Sequence, residues 1–302
     1  MGRIVAHDPA HRRALILMVI APLLWSIAGV VTRHLSPELQ ANGRFEITFW
    51  RSLFAALTVG AFLALVRRDF IGALRRAGAP GLLSGMLWAV MFVNFMLALT
   101  LTTTANTLIV LAIAPLLTAL LARAVLKTPV PVRTWVAIVV AMLGIVWMFA
   151  GSYRLESATS AFGMLIALGV PVASAVNVVV LKKRGAQVDL IPAVLLGGAI
   201  SALAMLRFAL PFQAELRDVA LLAMLGVFQL GVPCMLLVVA ARHLSATEVA
   251  LLALLEVVLG PLWAWIGADE VPATSTLLGG AMVLGAMVLN EVAAARQRSA
   301  SF

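Results

Sequence analysis

The sequence predicts an all-α polytopic membrane protein, with ten transmembrane helices in two inverted five-helix repeats and both termini in the cytoplasm. Three observations carry that reading. The 302 residues are 63% hydrophobic and 12% charged, with a mean hydropathy of +1.07; a soluble domain is about half apolar and about a quarter charged. Apolar stretches long enough to cross a bilayer, roughly 20 residues each, recur along almost the whole chain. The basic residues gather on one side once alternate crossings are assumed. A water-soluble enzyme, a disordered chain and a nucleic-acid-binding domain are therefore disfavoured, despite the net charge of +9.

Taken in order, MGRIVAHDPAHRR (1–13) reads as a short basic cytoplasmic tail. The first span, 14–35, is too long for a signal-peptide core and no small-residue cleavage site follows it, so it is expected to be retained. Further spans are expected at 44–66, 79–100, 103–122 and 131–150, which complete a first five-helix repeat over 14–150. The narrowest break is Thr102-Thr103-Thr104. Spans at 160–181, 190–208, 218–240, 245–267 and 274–293 make a second repeat over 158–293, followed by a cytoplasmic tail, 294–302.

With the N-terminus inside, 16 of the 22 Lys and Arg residues fall on the inner side and six on the outer. The inner set includes Arg67-Arg68, Arg75-Arg76 and Lys182-Lys183-Arg184. Reversing the chain or losing one span destroys this positive-inside bias. The repeat shows at a shift of 142 residues, which lays Ala114-Pro115 on Glu256-Val257 and Ala98 on Ala240. A shift of about 148 lays Trp25-Ser26 on Ala173-Ser174. Five spans is an odd number, so the halves must insert with opposite topology, an architecture found in secondary transporters with a site near the midplane.

Three stretches carry a family resemblance: APLLWSIAGVVTRHL (21–35), FWRSLFAAL (49–57) and LEVVLGPLWAWIGADEVP (255–272). In order and spacing the chain resembles the drug/metabolite transporter superfamily, and within it the EamA-type branch. Glu256 matches the Glu of that branch's Leu-Glu-Pro motif, and Glu270 the Glu just beyond that span. Val257 replaces the usual proline, which appears instead at Pro261, and Thr128 stands where a Glu is common. Within the branch, the third stretch and the lack of intramembrane basic residues in the second half resemble bacterial exporters of aromatic and other neutral amino acids. The resemblance implies a bacterial inner-membrane location and a central cavity walled by both halves. It also implies that the last span of each half lies at the periphery.

An ionisable side chain inside a span is costly and points to function. Glu256 lies at the middle of span nine, about 11 residues or ~16 Å from either end. It could bind an ammonium group, relay a proton or brace the halves. Gln229, at the midpoint of span eight, shares its depth, and Asn94 and Asn177 are further amides able to hold a zwitterion. Trp25 and Trp88 fall near mid-bilayer, where an indole can line a cavity. Together Trp25, Trp88, Asn94, Asn177, Gln229 and Glu256 are the expected substrate-binding residues. Asn106 is read as a helix-joining amide. Trp50, Trp147, Trp263, Trp265 and Trp135 are read as interfacial anchors. Glu248 suits a helix first turn, where the dipole favours a carboxylate. Arg51, two turns into span two, is expected to snorkel outward or pair with Glu46 rather than meet a substrate carboxylate. Pro115 and Pro261 are candidate hinges, and Gly144, Gly279-Gly280 and Gly285 mark close helix packing.

The function expected is therefore export of neutral amino acids or related small metabolites by alternating access. Proton-coupled efflux of cationic drugs is the alternative. Anionic substrates are disfavoured, because spans six to ten hold no deep Lys or Arg. No phosphate-binding loop occurs. The four histidines are scattered and Cys234 is the single cysteine, so neither a cofactor nor a metal site is expected. An enzyme is not expected either. The expected partners are the lipid bilayer and the small-molecule substrate, not nucleic acid, with the protein a monomer or homodimer.

Overall fold

A computed structural model describes residues 9–68, 70–102, 104–149, 158–185, 187–268 and 273–300. Glu270 lies outside this set. Every regular element among the described residues is helical. Ten helices are long and apolar enough to cross a membrane: Pro9–Thr32, Arg44–Val66, Phe70–Leu101, Asn106–Val125, Val132–Phe149, Ala158–Arg184, Ile191–Ala209, Leu216–Ala240, Ala246–Gly267 and Thr274–Ala294. They coincide with the ten expected spans and are numbered one to ten here.

One boundary differs instructively. Span three is a continuous helix from Phe70, but it kinks at Gly78 (φ 53°, ψ −149°), with Pro80 just beyond. A left-handed φ suits glycine because it has no Cβ. The kink lets a short basic helix carrying Arg75 and Arg76 turn away from the apolar span that starts where the sequence places it.

The spans contact one another in a pattern that a twofold relation exchanging spans one to five with six to ten reproduces. Span two packs on seven, four on nine and five on ten, each pair mapping onto itself. Three on six mirrors eight on one, three on seven mirrors eight on two, and four on six mirrors nine on one. The outer face of the bundle is aliphatic, as at Leu65 and Leu203. The interior is small-residue and polar, as expected where lipid gives helices no hydrophobic reason to associate. Ser52 and Ser201 meet at 2.8 Å, and Thr134 donates to Asn290 Oδ1 at 3.0 Å. Spans five and ten approach so closely that a Cβ added to Gly144 would lie 2.8 Å from the carbonyl oxygen of Gly279. Gly144 and Gly279 are thus used within one chain.

Span one breaks between helices Pro9–Trp25 and Ala28–Thr32. Span four breaks at Ala112-Ile113, before the helix Ala114–Val125, and span nine at Leu254, between Ala246–Ala253 and Leu255–Ala268. The last two breaks stand 142 residues apart, the repeat shift itself. Pro115 fits the start of its helix, where no intrahelical N–H is needed. Pro261 lies within a regular helix instead, so the break in span nine is not at the proline that the sequence marks as a hinge. Span eight widens to a π-helix over Leu225–Gly231.

Candidate functional site

The irregular stretches of spans one, four, eight and nine border one cavity of about 150 Å³ between the halves, whereas the π-helix Phe62–Val66 at the end of span two and the kink at Gly78 lie away from it. Non-helical backbone at membrane depth is tolerated only where protein or a cavity covers it, and π-segments concentrate at functional sites. The volume is close to that in which an engineered apolar cavity holds benzene. Five of the six expected residues line it: Trp25, Trp88, Asn177, Gln229 and Glu256. Asn94 does not. It packs against the backbone of Gly169, between spans three and six.

Each wall follows from its local sequence. On span three, Trp88, Met91, Phe92 and Phe95 recur at three- and four-residue spacing and form an aromatic stripe. The periodicity is legible in the sequence, whereas depth alone points only to Trp88. On span six, Asn177 accepts a hydrogen bond from Ser84 Oγ of span three at 2.6 Å, which fixes its orientation. Gln229 sits in the π-helix of span eight, and Glu256 begins the second piece of span nine.

The largest departure from the sequence reading is Arg51. It is 2% exposed, reaches the cavity and neither snorkels nor pairs with Glu46. Its Nη2 donates to Gln229 Oε1 at 2.6 Å, and its Nη1 to Met96 Sδ. Gln229 Nε2 in turn lies 3.4 Å from the carbonyl oxygen of Trp25 at the break in span one. Glu46 is occupied elsewhere. Its carboxylate accepts from the backbone N–H groups of Gln213 and Ala214 at 2.8 and 2.9 Å and from Trp50 Nε1 at 3.2 Å. The glycine at 226 permits this placement, because a Cβ there would lie 2.7 Å from the Arg51 carbonyl oxygen. Spans six to ten hold no deep Lys or Arg, but Arg51 of span two brings a positive charge into the cavity, so negatively charged groups are not disfavoured there.

Arg51 and Glu256 face the same cavity without forming an ion pair with each other or with any other described residue. Cys234, which sequence reasoning set aside, is buried in the same wall.

Other expectations resolve around this centre. Glu248 forms a capping box with Ser245, accepting from the Ser245 N–H at 2.6 Å, as its first-turn position suggests. Asn106 donates to Thr102 Oγ1 at 2.8 Å and so joins spans four and three. Trp263 Nε1 donates to Ser26 Oγ at 2.8 Å, tying span nine to the break in span one. His11 meets Glu248 at 3.8 Å, and with Glu291 their ligand-capable atoms lie within 4.8 Å of one another. This cluster joins spans one, nine and ten. Its members come from three different spans, so no single hydrophobic segment shows it.

The sequence model of the EamA-like transporter family matches residues 12–150 and 161–291, once in each half. The Pseudopaline exporter CntI of Pseudomonas aeruginosa, in two strains, is 26% identical over 279 residues, covering 92% of this chain and 95% of the relative. A protein crystal structure superposes with a TM-score of 0.78 at 18% identity, covering 93% of this chain and 98% of that one, and shows the fold. With its membrane-crossing helices broken around a shared cavity and both halves matched, the chain belongs to the EamA-like transporter family and is a multi-pass membrane transporter, not an enzyme.

Proposed function

We propose that this protein exports amino acids or related small metabolites from the bacterial cytoplasm, across the inner membrane, by alternating access. One observation carries the reading. Polar side chains from both halves, Arg51 and Asn177 among them, converge on one mostly apolar cavity where spans one, four, eight and nine lose regular helical geometry. Such breaks let parts of a span tilt separately, so the cavity can open to either side in turn. The exporter relative supports an outward direction and a small metabolite as cargo. The positive-inside charge distribution supports cytoplasmic termini.

The test is uptake by proteoliposomes of the purified protein. Labelled Trp, Leu, Thr, a lipophilic cation and a sugar phosphate are supplied with and without a pH gradient. Saturable amino acid flux is the expected result. Flux of the cation alone supports efflux of cationic compounds instead, and flux of none of the five sinks the amino acid reading.

A further inference from the structure

We infer that the cavity is built around a carboxylate: Arg51 and Trp88 donate to an acid group that every good ligand carries, and Glu256 receives the ligand's ammonium group. This deepens, and rests on, the exporter reading above, because it names the substrate class of the same cavity as zwitterionic α-amino acids and their close derivatives.

The cavity holds donors without acceptors. A guanidinium has five N–H donors in a fixed planar fork and no acceptor. Here one nitrogen meets an amide oxygen and a second meets a thioether sulfur, which is a weak acceptor. The third, Arg51 Nε, is buried with no partner among the described residues. Trp88 Nε1, in the same cavity, is likewise buried with no partner among the described residues. Both side chains are at least nine-tenths buried, at 2% and 4% exposed. Buried donors left unmatched are costly, and Glu256 attracts Arg51 across the cavity without a hydrogen bond or ion pair that would satisfy them. Bracing spans two and eight accounts for the bond to Gln229 but not for the other donors. The group that completes the set is an acceptor-only anion matching a planar fork, a carboxylate or a phosphate, and a mostly apolar wall with Arg51 as its one basic side chain suits the singly charged carboxylate.

The rest of the cavity selects what the acid is attached to. Glu256 is the one acidic side chain in the cavity wall, and no described residue hydrogen-bonds or ion-pairs with it. A ligand carrying an ammonium group beside its carboxylate satisfies both charges at once. Most of the remaining wall, with Trp25, Phe92, Phe95, Val170 and Leu237, is apolar and aromatic and accepts an uncharged side chain, with Ser174 and Asn177 as polar exceptions.

The experiment compares L-phenylalanine with two truncations of it: 3-phenylpropanoate, which lacks the ammonium group, and 2-phenylethylamine, which lacks the carboxylate. Binding to the purified full-length protein is read as a thermal shift, since a ligand that binds the folded state stabilises it by mass action. The inference expects L-phenylalanine and 3-phenylpropanoate to bind and 2-phenylethylamine to bind at least tenfold more weakly. Arg51→Gln should weaken L-phenylalanine by roughly thirtyfold or more, the lower end for removing one partner of a buried charge pair. Arg51→Lys should retain part of the affinity. Equal binding of the amine, undiminished binding by Arg51→Gln, or no binding of either carboxylate would overturn the inference. The wild-type series decides the matter even if Arg51→Gln fails to fold. Flux in proteoliposomes separates the two readings. Binding in this pattern without flux sinks the exporter and leaves the carboxylate site. Flux unchanged by Arg51→Gln leaves the exporter and sinks the carboxylate site.

Discussion

Arg51 Nη2 donates to Gln229 Oε1 at 2.6 Å, a bond between the second span of one half and the second half's π-helix. Gln229 also reaches the Trp25 carbonyl, so one amide connects spans one, two and eight at the edge of the cavity. The residues that would contact a ligand therefore also hold the halves in register.

Gln229→Leu removes the acceptor of the guanidinium and the donor to Trp25 together. Leaving a buried charged donor unmatched costs on the order of 1–3 kcal/mol. The expected outcome is a lower unfolding temperature of the purified protein along with reduced flux. Unchanged stability and unchanged flux would show that the bond contributes to neither.

Glu256→Gln keeps the side chain's shape and removes its charge. If Glu256 receives the ammonium group, KM for L-phenylalanine rises about tenfold, close to 1.4 kcal/mol, while that for 3-phenylpropanoate stays the same. An equal loss for both compounds makes Glu256 a structural residue. A requirement for a pH gradient that vanishes in the variant assigns it to proton coupling.

Gly279→Leu drives a side chain into the Gly144 backbone, where a Cβ alone is already too large. Overpacking of this kind costs about 1–3 kcal/mol. Gly285→Leu, six residues along the same helix, meets nothing within 4 Å of its Cβ and serves as the control. Thermal unfolding of the two variants should separate them clearly; equal losses would mean that spans five and ten do not pack as described.

Orientation can be read with single added cysteines in a Cys234→Ser background, since the one native cysteine lines the cavity. Gln40→Cys sits on the exposed short helix Pro37–Asn42, between spans one and two. Arg68→Cys sits in the exposed connection between spans two and three. With cytoplasmic termini, the first is labelled in intact cells and the second only after permeabilisation. The reverse pattern would invert the topology.

Hydropathy is a sum along the chain, and a lipid-crossing segment must be apolar throughout its length. That is why ten spans, their order and the 142-residue repeat could be read from the amino acids alone. The depth of a residue follows from its distance to the span ends, so Trp25, Trp88, Gln229 and Glu256 could be placed near the midplane without coordinates. The facing of a residue could not. A helix that is apolar all round presents no polar stripe to show which side meets protein and which meets lipid. Asn94 and Asn177 look alike in the sequence, yet one packs on Gly169 and the other lines the cavity. Arg51 lies near enough to a span end to snorkel. Only the packing of span two against spans seven and eight turns it inward, while Glu46 is drawn off by the backbone at 213 and 214. The sequence by itself determined a ten-span repeat transporter with a polar midplane. The tertiary structure decided which polar groups share one cavity, because that depends on the rotation of each helix against its neighbours, and no local sum along the chain contains it.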